Sequence, residues 1–180
     1  MAWVLDDENA DDPLVRELYR AFFTDSRTVG LLIEPDSGDI VDANTRACAY
    51  YGYPHETLLH MNIDRINTLS PEEVKRELDA AYTEERSAFH FRHRLASGEV
   101  RHVDVYSEPV AIGGRTLLHS VVFDVDDRVR AERHEKRLSA AVEQSATTIV
   151  ITDLSGTIEY VNPAFTTHTG YTREEAVGRN

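Results

Sequence analysis

Apolar and polar positions change period along the chain in a definite order. Over residues 11–23, Leu14, Leu18 and Phe22 recur at helical spacing with Val15 and Tyr19 beside them, and Asp11, Asp12 and Pro13 supply a start signal; this predicts an amphipathic helix. Residues 29–33 form a short apolar run that meets a Pro35-Asp36-Ser37-Gly38 turn and then a second short strand. Asn44 stands where its side-chain oxygen can cap a following helix, and Gly52 where that helix can end. A further helix starts after Pro54, with acidic residues in its first turn. Ser70-Pro71-Glu72-Glu73 is a helix start leading into Val74, Leu78, Ala81 and Tyr82 at helical spacing. Three strand-like runs follow, 88–95, 100–110 and 116–124, joined through Ser97-Gly98-Glu99 and Gly113-Gly114. From Asp126 the chain turns polar and helical, with Val125, Val129, Leu138 and Val142 on a rough stripe that Glu132 and Glu135 interrupt. Two strands, several helices and three strands predict an α+β domain: a five-stranded antiparallel sheet with helices on one face, an N-terminal helix and a C-terminal linker helix.

Strand alternation assigns faces. Phe89, Phe91 and His93 share one face, with His90, Arg92 and Arg94 on the other; Val103, Val105 and Ser107 oppose His102, Asp104, Tyr106 and Glu108. Apolar faces coincide in a hairpin, which predicts His93 opposite Val103, Ala96 opposite Val100 and a loop of Ser97, Gly98 and Glu99. In that register His102 lies opposite Arg94, too far along from His90 for the two to share a small ion. Leu118, Ser120 and Val122 face one way, and Leu117, His119, Val121 and Phe123 the other. Two apolar faces on one strand call for cover on both sides, with Leu14, Leu18 and Phe22 as the expected outer cover.

The opening of this pattern occurs twice. Residues 33–62 align without a gap on 151–180, with identities at Ile33/Ile151, Ser37/Ser155, Gly38/Gly156, Ile40/Ile158, Asn44/Asn162, Gly52/Gly170, Tyr53/Tyr171, Glu56/Glu174 and Asn62/Asn180. The spacing is that of a small domain, so two tandem copies are expected, the second incomplete. The pattern G-x-I-x-x-x-N-x-A-x-x-x-x-x-G-Y-x-x-E between Gly156 and Glu174 resembles the PAS domain family closely. In the first copy Thr45 stands for the family's usual Pro and Arg46 for its Ala. The resemblance implies an N-terminal segment (1–26), a complete PAS domain (27–126), a linker helix (127–146) and the start of a second PAS domain (147–180). The family's exit pattern of Asp, hydrophobe and Thr reads Asp124-Val125-Asp126 here, departing at the third position.

The resemblance also implies the sensory part of a multidomain signalling protein. Its expected outputs are a histidine kinase of a two-component system, a diguanylate cyclase, a chemotaxis-type transducer or a transcription regulator lying downstream. The linker helix would pair with its twin as a parallel coiled coil in a homodimer. A pocket between sheet and helices would be walled by Leu32, Phe89, Phe91, His93, Val103, Val105, Ser120 and Val122, with Cys48, Tyr51, Leu78 and Tyr82 from the helices. The alternatives are a filled core and a ligand-free dimerisation scaffold. His93, the one inward polar group titrating near neutrality, would orient a ligand, with Ser120, Tyr82, water or that ligand as its partner.

Composition narrows the setting. A hydrophobic content of 41% suffices for a core. No apolar run reaches the roughly 18 residues of a membrane span. The N-terminal stretch is acidic where a signal peptide would be basic, and Cys48 as the single cysteine permits no internal disulfide; a cytoplasmic setting is expected. The net charge of −13 argues against nucleic acid and anionic membranes as partners. Lys75 and Lys136 are the only lysines, a bias that fits either a high-salt cytoplasm or a GC-rich genome with a solvated acidic surface.

No catalytic constellation emerges: the chain has no P-loop, G-x-S-x-G, H-E-x-x-H or C-x-x-C. His134 within RHEKR reads as a linker residue rather than a phosphoacceptor. The helix over 72–83 carries no histidine where haem-binding relatives place an axial ligand, and the flavin-binding G-x-N-C-R-F-L-Q stretch is missing; Cys48 reads as a small buried hydrophobe. The cofactor is open, with a small organic ligand compatible.

Overall fold

The computed structural model describes residues 12–112 and 114–180. Asp11, where the N-terminal helix is expected to begin, and Gly113 of the last hairpin lie outside the described residues. The contacts divide the chain into two compact units, 1–126 and 127–180.

In the first unit, α1 (Pro13–Tyr19) is capped by the Asp12 carboxylate and runs into a π-helical turn, Arg20–Thr24. β1 (Val29–Ile33) and β2 (Ile40–Ala43) form a hairpin, followed by α2 (Thr45–Tyr51), α3 (His55–Leu58) and α4 (Pro71–Tyr82). Ser70 and Glu73 close a reciprocal capping box on α4, as the Ser-Pro-Glu-Glu start predicts. β3 (Ala88–Arg94), β4 (Val100–Ile112) and β5 (Arg115–Asp124) complete, among the described residues, a five-stranded antiparallel sheet of order β2-β1-β5-β4-β3. This is the expected α+β architecture. The main core lies between the sheet and α2 to α4, around Leu31, Tyr51, Leu58, Ile66, Val103 and Leu118.

The opposite face is covered differently from expectation. Phe23 packs there with Leu32 and Leu117, and Tyr19 joins them, its ring 5.3 Å from that of Phe23. Of the expected cover, Leu14, Leu18 and Phe22, Leu18 is half-buried while Leu14 and Phe22 are 61% and 79% exposed. Tyr19 and Phe23 are four residues apart and share a helix face, so the stripe beside the expected one is the one that meets the sheet. Tyr19 also donates to Asp42 on β2, which His55 Nε2 meets on its other oxygen at 2.7 Å.

The β3–β4 register is shifted by two residues from expectation, with Phe91 opposite Val103, His93 opposite Arg101 and Arg94 opposite Val100. A shift of two keeps every side chain on its face, so parity could not separate the registers. The Ala96 N–H decides: it donates to Tyr51 O on α2 and so leaves the ladder, while Leu95 N bonds Glu99 O and Gly98, at φ +86°, makes the turn. His102 consequently lies opposite Arg92, not Arg94. His90 and His102 each turn to a carboxylate, Asp104 and Asp126, at 2.7 and 2.8 Å. Among the described residues no cluster of three or more His, Cys, Asp or Glu is placed to hold a metal ion, and no helix is long and apolar enough to cross a membrane.

In the second unit, α5 (Asp126–Glu143), which starts at the last residue of the first, leads to β6 (Val150–Thr152), β7 (Ile158–Val161), α6 (Pro163–Thr169) and α7 (Arg173–Ala176). β6 and β7 pair only with each other among the described residues. The repeated asparagine does the same work in both units. Asn44 Oδ1 accepts from Ala47 N and Gly30 N while its Nδ2 donates to Thr28 O. Asn162 Oδ1 accepts from Phe165 N and Ile149 N while its Nδ2 donates to Thr147 O. One buried amide thus caps a helix and pins the preceding strand.

Candidate functional site

Between the sheet and α4 lies a cavity of about 40 Å³. Its sheet wall is Leu31 and Ile33 on β1, Phe89, Phe91 and His93 on β3, Val105 and Ser107 on β4, and Ser120 and Val122 on β5. Opposite stand Val74, Glu77, Leu78 and Ala81 on α4, with Ile63 and Asn67 from the segment before it. Phe89, Phe91 and His93 form a continuous stack along β3, with centroids 5.6 and 5.9 Å apart.

The polar groups of this wall are sorted by their partners. Ser107 and Ser120 bond each other across the strands at 2.7 Å. Asn67 Oδ1 accepts from Leu69 N at 3.0 Å. Glu77 pairs with Arg86, whose guanidinium lies 4.6 Å from the Phe89 ring centroid. His93, 2% exposed, meets Tyr51 Oη at 3.0 Å through Nδ1. Burial lowers the imidazole to a pKa of about 3, so the ring is neutral at pH 7. Burial also holds the Tyr51 phenol well above its usual value.

The structure distributes the sequence-derived pocket residues as follows. Leu78, Phe89, Phe91, His93, Val105, Ser120 and Val122 line the cavity. Tyr51 stands behind it as the partner of His93, in place of the Ser120, Tyr82, water or ligand expected. Val103 is core but does not reach the cavity. Cys48 packs at the core's edge, its thiol pushed up mainly by burial. Tyr82 is 47% exposed at the end of α4. Leu32 faces the other side: Leu31 pairs with Ser120 and Ile33 with Leu118, so those two share the inner face. All five β1 residues are buried, so the run shows no alternation, and pairing with β5 alone assigns its faces. Asn67, Ser107 and Glu77 were not among the expected wall. Ser107 continues the Val103–Val105 parity and was within reach of that reasoning; Asn67 sits in a non-periodic segment that offers none.

At the sheet's exit, Asp126 is 2% exposed and its Oδ1 accepts from His102 N and His102 Nδ1 at 3.2 and 2.8 Å. Asp124 accepts from Asp126 N through one oxygen and from Tyr50 and Arg101 through the other. A carboxylate thus replaces the threonine hydroxyl of the family's exit pattern and recruits a histidine to it.

Comparison with known proteins fits this geometry. A family model described as PAS domain matches residues 28–127, and one described as PAS fold matches 136–180. The chain belongs to the PAS domain family. It is 33% identical over 132 residues to diguanylate cyclase DgcM of Escherichia coli strain K12, a match that covers 72% of this chain but only 32% of that relative. Among solved structures, a PAS domain from Desulfitobacterium hafniense superposes with a TM-score of 0.54 at 19% identity, covering 58% of this chain and 98% of that one. The PAS domain of an HTR-like protein from Haloarcula marismortui gives 0.56 at 22%, covering 62% and 92%. At these identities the two structures share the fold with this chain.

Proposed function

We propose that this chain is the sensory region of a signalling protein, in which a small molecule in the cavity biases the sheet and, through Asp124 and Asp126, the linker helix. The observation that carries the reading is the cavity itself: a polar-edged space with β5 in its wall, the strand whose last residue, Asp124, accepts from Asp126 N at the start of α5. Its volume is far below the several hundred Å³ of drug-sized ligand pockets, so the occupant is small. The PAS domain spans 27–126, the linker 127–146, and a second copy begins at 147. An effector domain downstream, such as a diguanylate cyclase, would supply the enzymatic output; the similarity to DgcM supports that choice. A homodimer fits the exposed Leu14 and Phe22 and the half-exposed Tyr106 and Phe123 on the outer sheet face.

The test adds bulk without a ligand. Ala81 is 2% exposed and lines the cavity from α4. Ala81→Val should shift backbone amide resonances at the cavity and also at 124–130. Shifts confined to the cavity would sink the coupling. Native mass spectrometry of freshly purified protein gives the second readout, a retained small molecule.

A further inference from the structure

Resting on the reading of the cavity as a ligand site, we propose that its occupant is a small neutral molecule bearing a carbonyl-type oxygen, held by N–H donors of His93 and Asn67. The two residues are neighbours across an isolated β-bridge, and both line the cavity. The Leu69 N–H fixes the Asn67 amide by occupying Oδ1, which leaves Nδ2 as the end with no partner among the described residues. Tyr51 Oη has His93 Nδ1 as its one partner among the described residues and is fully buried. If it accepted from Nδ1, its own proton would be orphaned in the core; donating to Nδ1 satisfies it. The imidazole proton then sits on Nε2. The wall therefore offers the two N–H donors of neighbouring residues, beside a serine pair whose mutual bond engages one of its two O–H groups.

Charge and size narrow the ligand further. Glu77 and Arg86 neutralise each other, and His93 is neutral. A carboxylate entering the cavity would lose its water with no unpaired cation among the described lining residues to receive it, and an ammonium ion would have to compete with Arg86 for the one carboxylate there, Glu77. The cavity of about 40 Å³ is small beside the several hundred Å³ of drug-sized ligand pockets. That limits the occupant to a handful of heavy atoms, and such ligands bind weakly, with Kd on the order of millimolar.

The experiment titrates the full chain with acetone, acetate and methylammonium, followed by the His93 ring and Asn67 side-chain N–H resonances. Acetone is expected to shift both saturably, while the two ions give no saturable change. Asn67→Asp keeps the acceptor for Leu69 N and removes the donor; with a native amide spectrum it should weaken acetone at least 10-fold. The ¹⁵N shifts of His93 should show protonated Nε2 and bare Nδ1, and the reverse tautomer overturns the donor assignment whether or not the variant folds. Saturable binding of acetate or methylammonium in preference to acetone overturns the ligand class and leaves the cavity as a ligand site. If no probe moves these resonances, the ligand-site reading itself fails.

Discussion

Two buried side chains set the behaviour of the cavity, and their bond can be tested by deletion. His93→Leu leaves the Tyr51 hydroxyl without a partner at full burial, which costs about 1–3 kcal/mol. Tyr51→Phe with His93→Leu removes both ends and should recover most of that loss, as urea unfolding of the two variants would show. The pH dependence has a definite sign. The folded His93 pKa of about 3 lies below the ~6.5 of an unfolded histidine. Unfolded chains therefore bind a proton that the native state excludes. This contribution is fully present above pH 6.5 and is lost as pH falls toward 3, with a slope of up to about 1.4 kcal/mol per pH unit. Between pH 6 and 4, His93→Leu should lose stability less steeply than wild type by about one proton. Parallel slopes would mean that the ring is not held neutral.

At the scale of elements, the N-terminal segment makes two adjacent phenylalanines unequal. Phe23 is 8% exposed against Leu32 and Leu117, and Phe22 is 79% exposed. Phe23→Ala should cost about 3 kcal/mol, at the lower end for buried aromatics. Phe22→Ala should stay within about 0.5 kcal/mol in the monomer and, in the proposed homodimer, weaken association as read by sedimentation. Equal destabilisation by both would mean that the Phe22 ring is packed as well as the Phe23 ring. The same pair shows what sequence can reveal. The helix was legible from its period, but two apolar stripes run side by side along it, Leu14-Leu18-Phe22 and Val15-Tyr19-Phe23, and the period does not say which one meets the sheet. The strands divide in the same way. Alternation placed Phe89, Phe91, His93 and Val105 on the inner face of β3 and β4, where polar residues mark the other face. It failed at Leu32, where both faces are buried, and it could not choose between hairpin registers two residues apart. The Tyr51–His93 bond was out of reach because it joins a helix to a strand through a packing that no local pattern encodes.

For the molecule as a whole, the two repeats begin alike and differ in how much sheet they hold. In the first unit β1 is flanked by β2 and β5, and β5 by β1 and β4, so the central strands are paired on both edges. In the second unit β6 and β7 pair only with each other among the described residues, and Val150 and Ile151 on β6 are 41% and 48% exposed. Asn162 caps and pins its unit as Asn44 does, so local chemistry is equal while burial is not. A two-stranded ribbon is marginal in water, whereas opening β4 or β5 would disrupt most of the first unit's core. Local stability should follow that difference. Amide hydrogen exchange of the full chain at low micromolar concentration is expected to show fast exchange at 150–161 and slow, near-global protection at 103–107 and 118–122. Protection of 150–161 equal to that of β4 and β5 would overturn this. The second repeat would then owe its order to contacts beyond its own two strands, and the shared asparagine would be joining two equally stable domains.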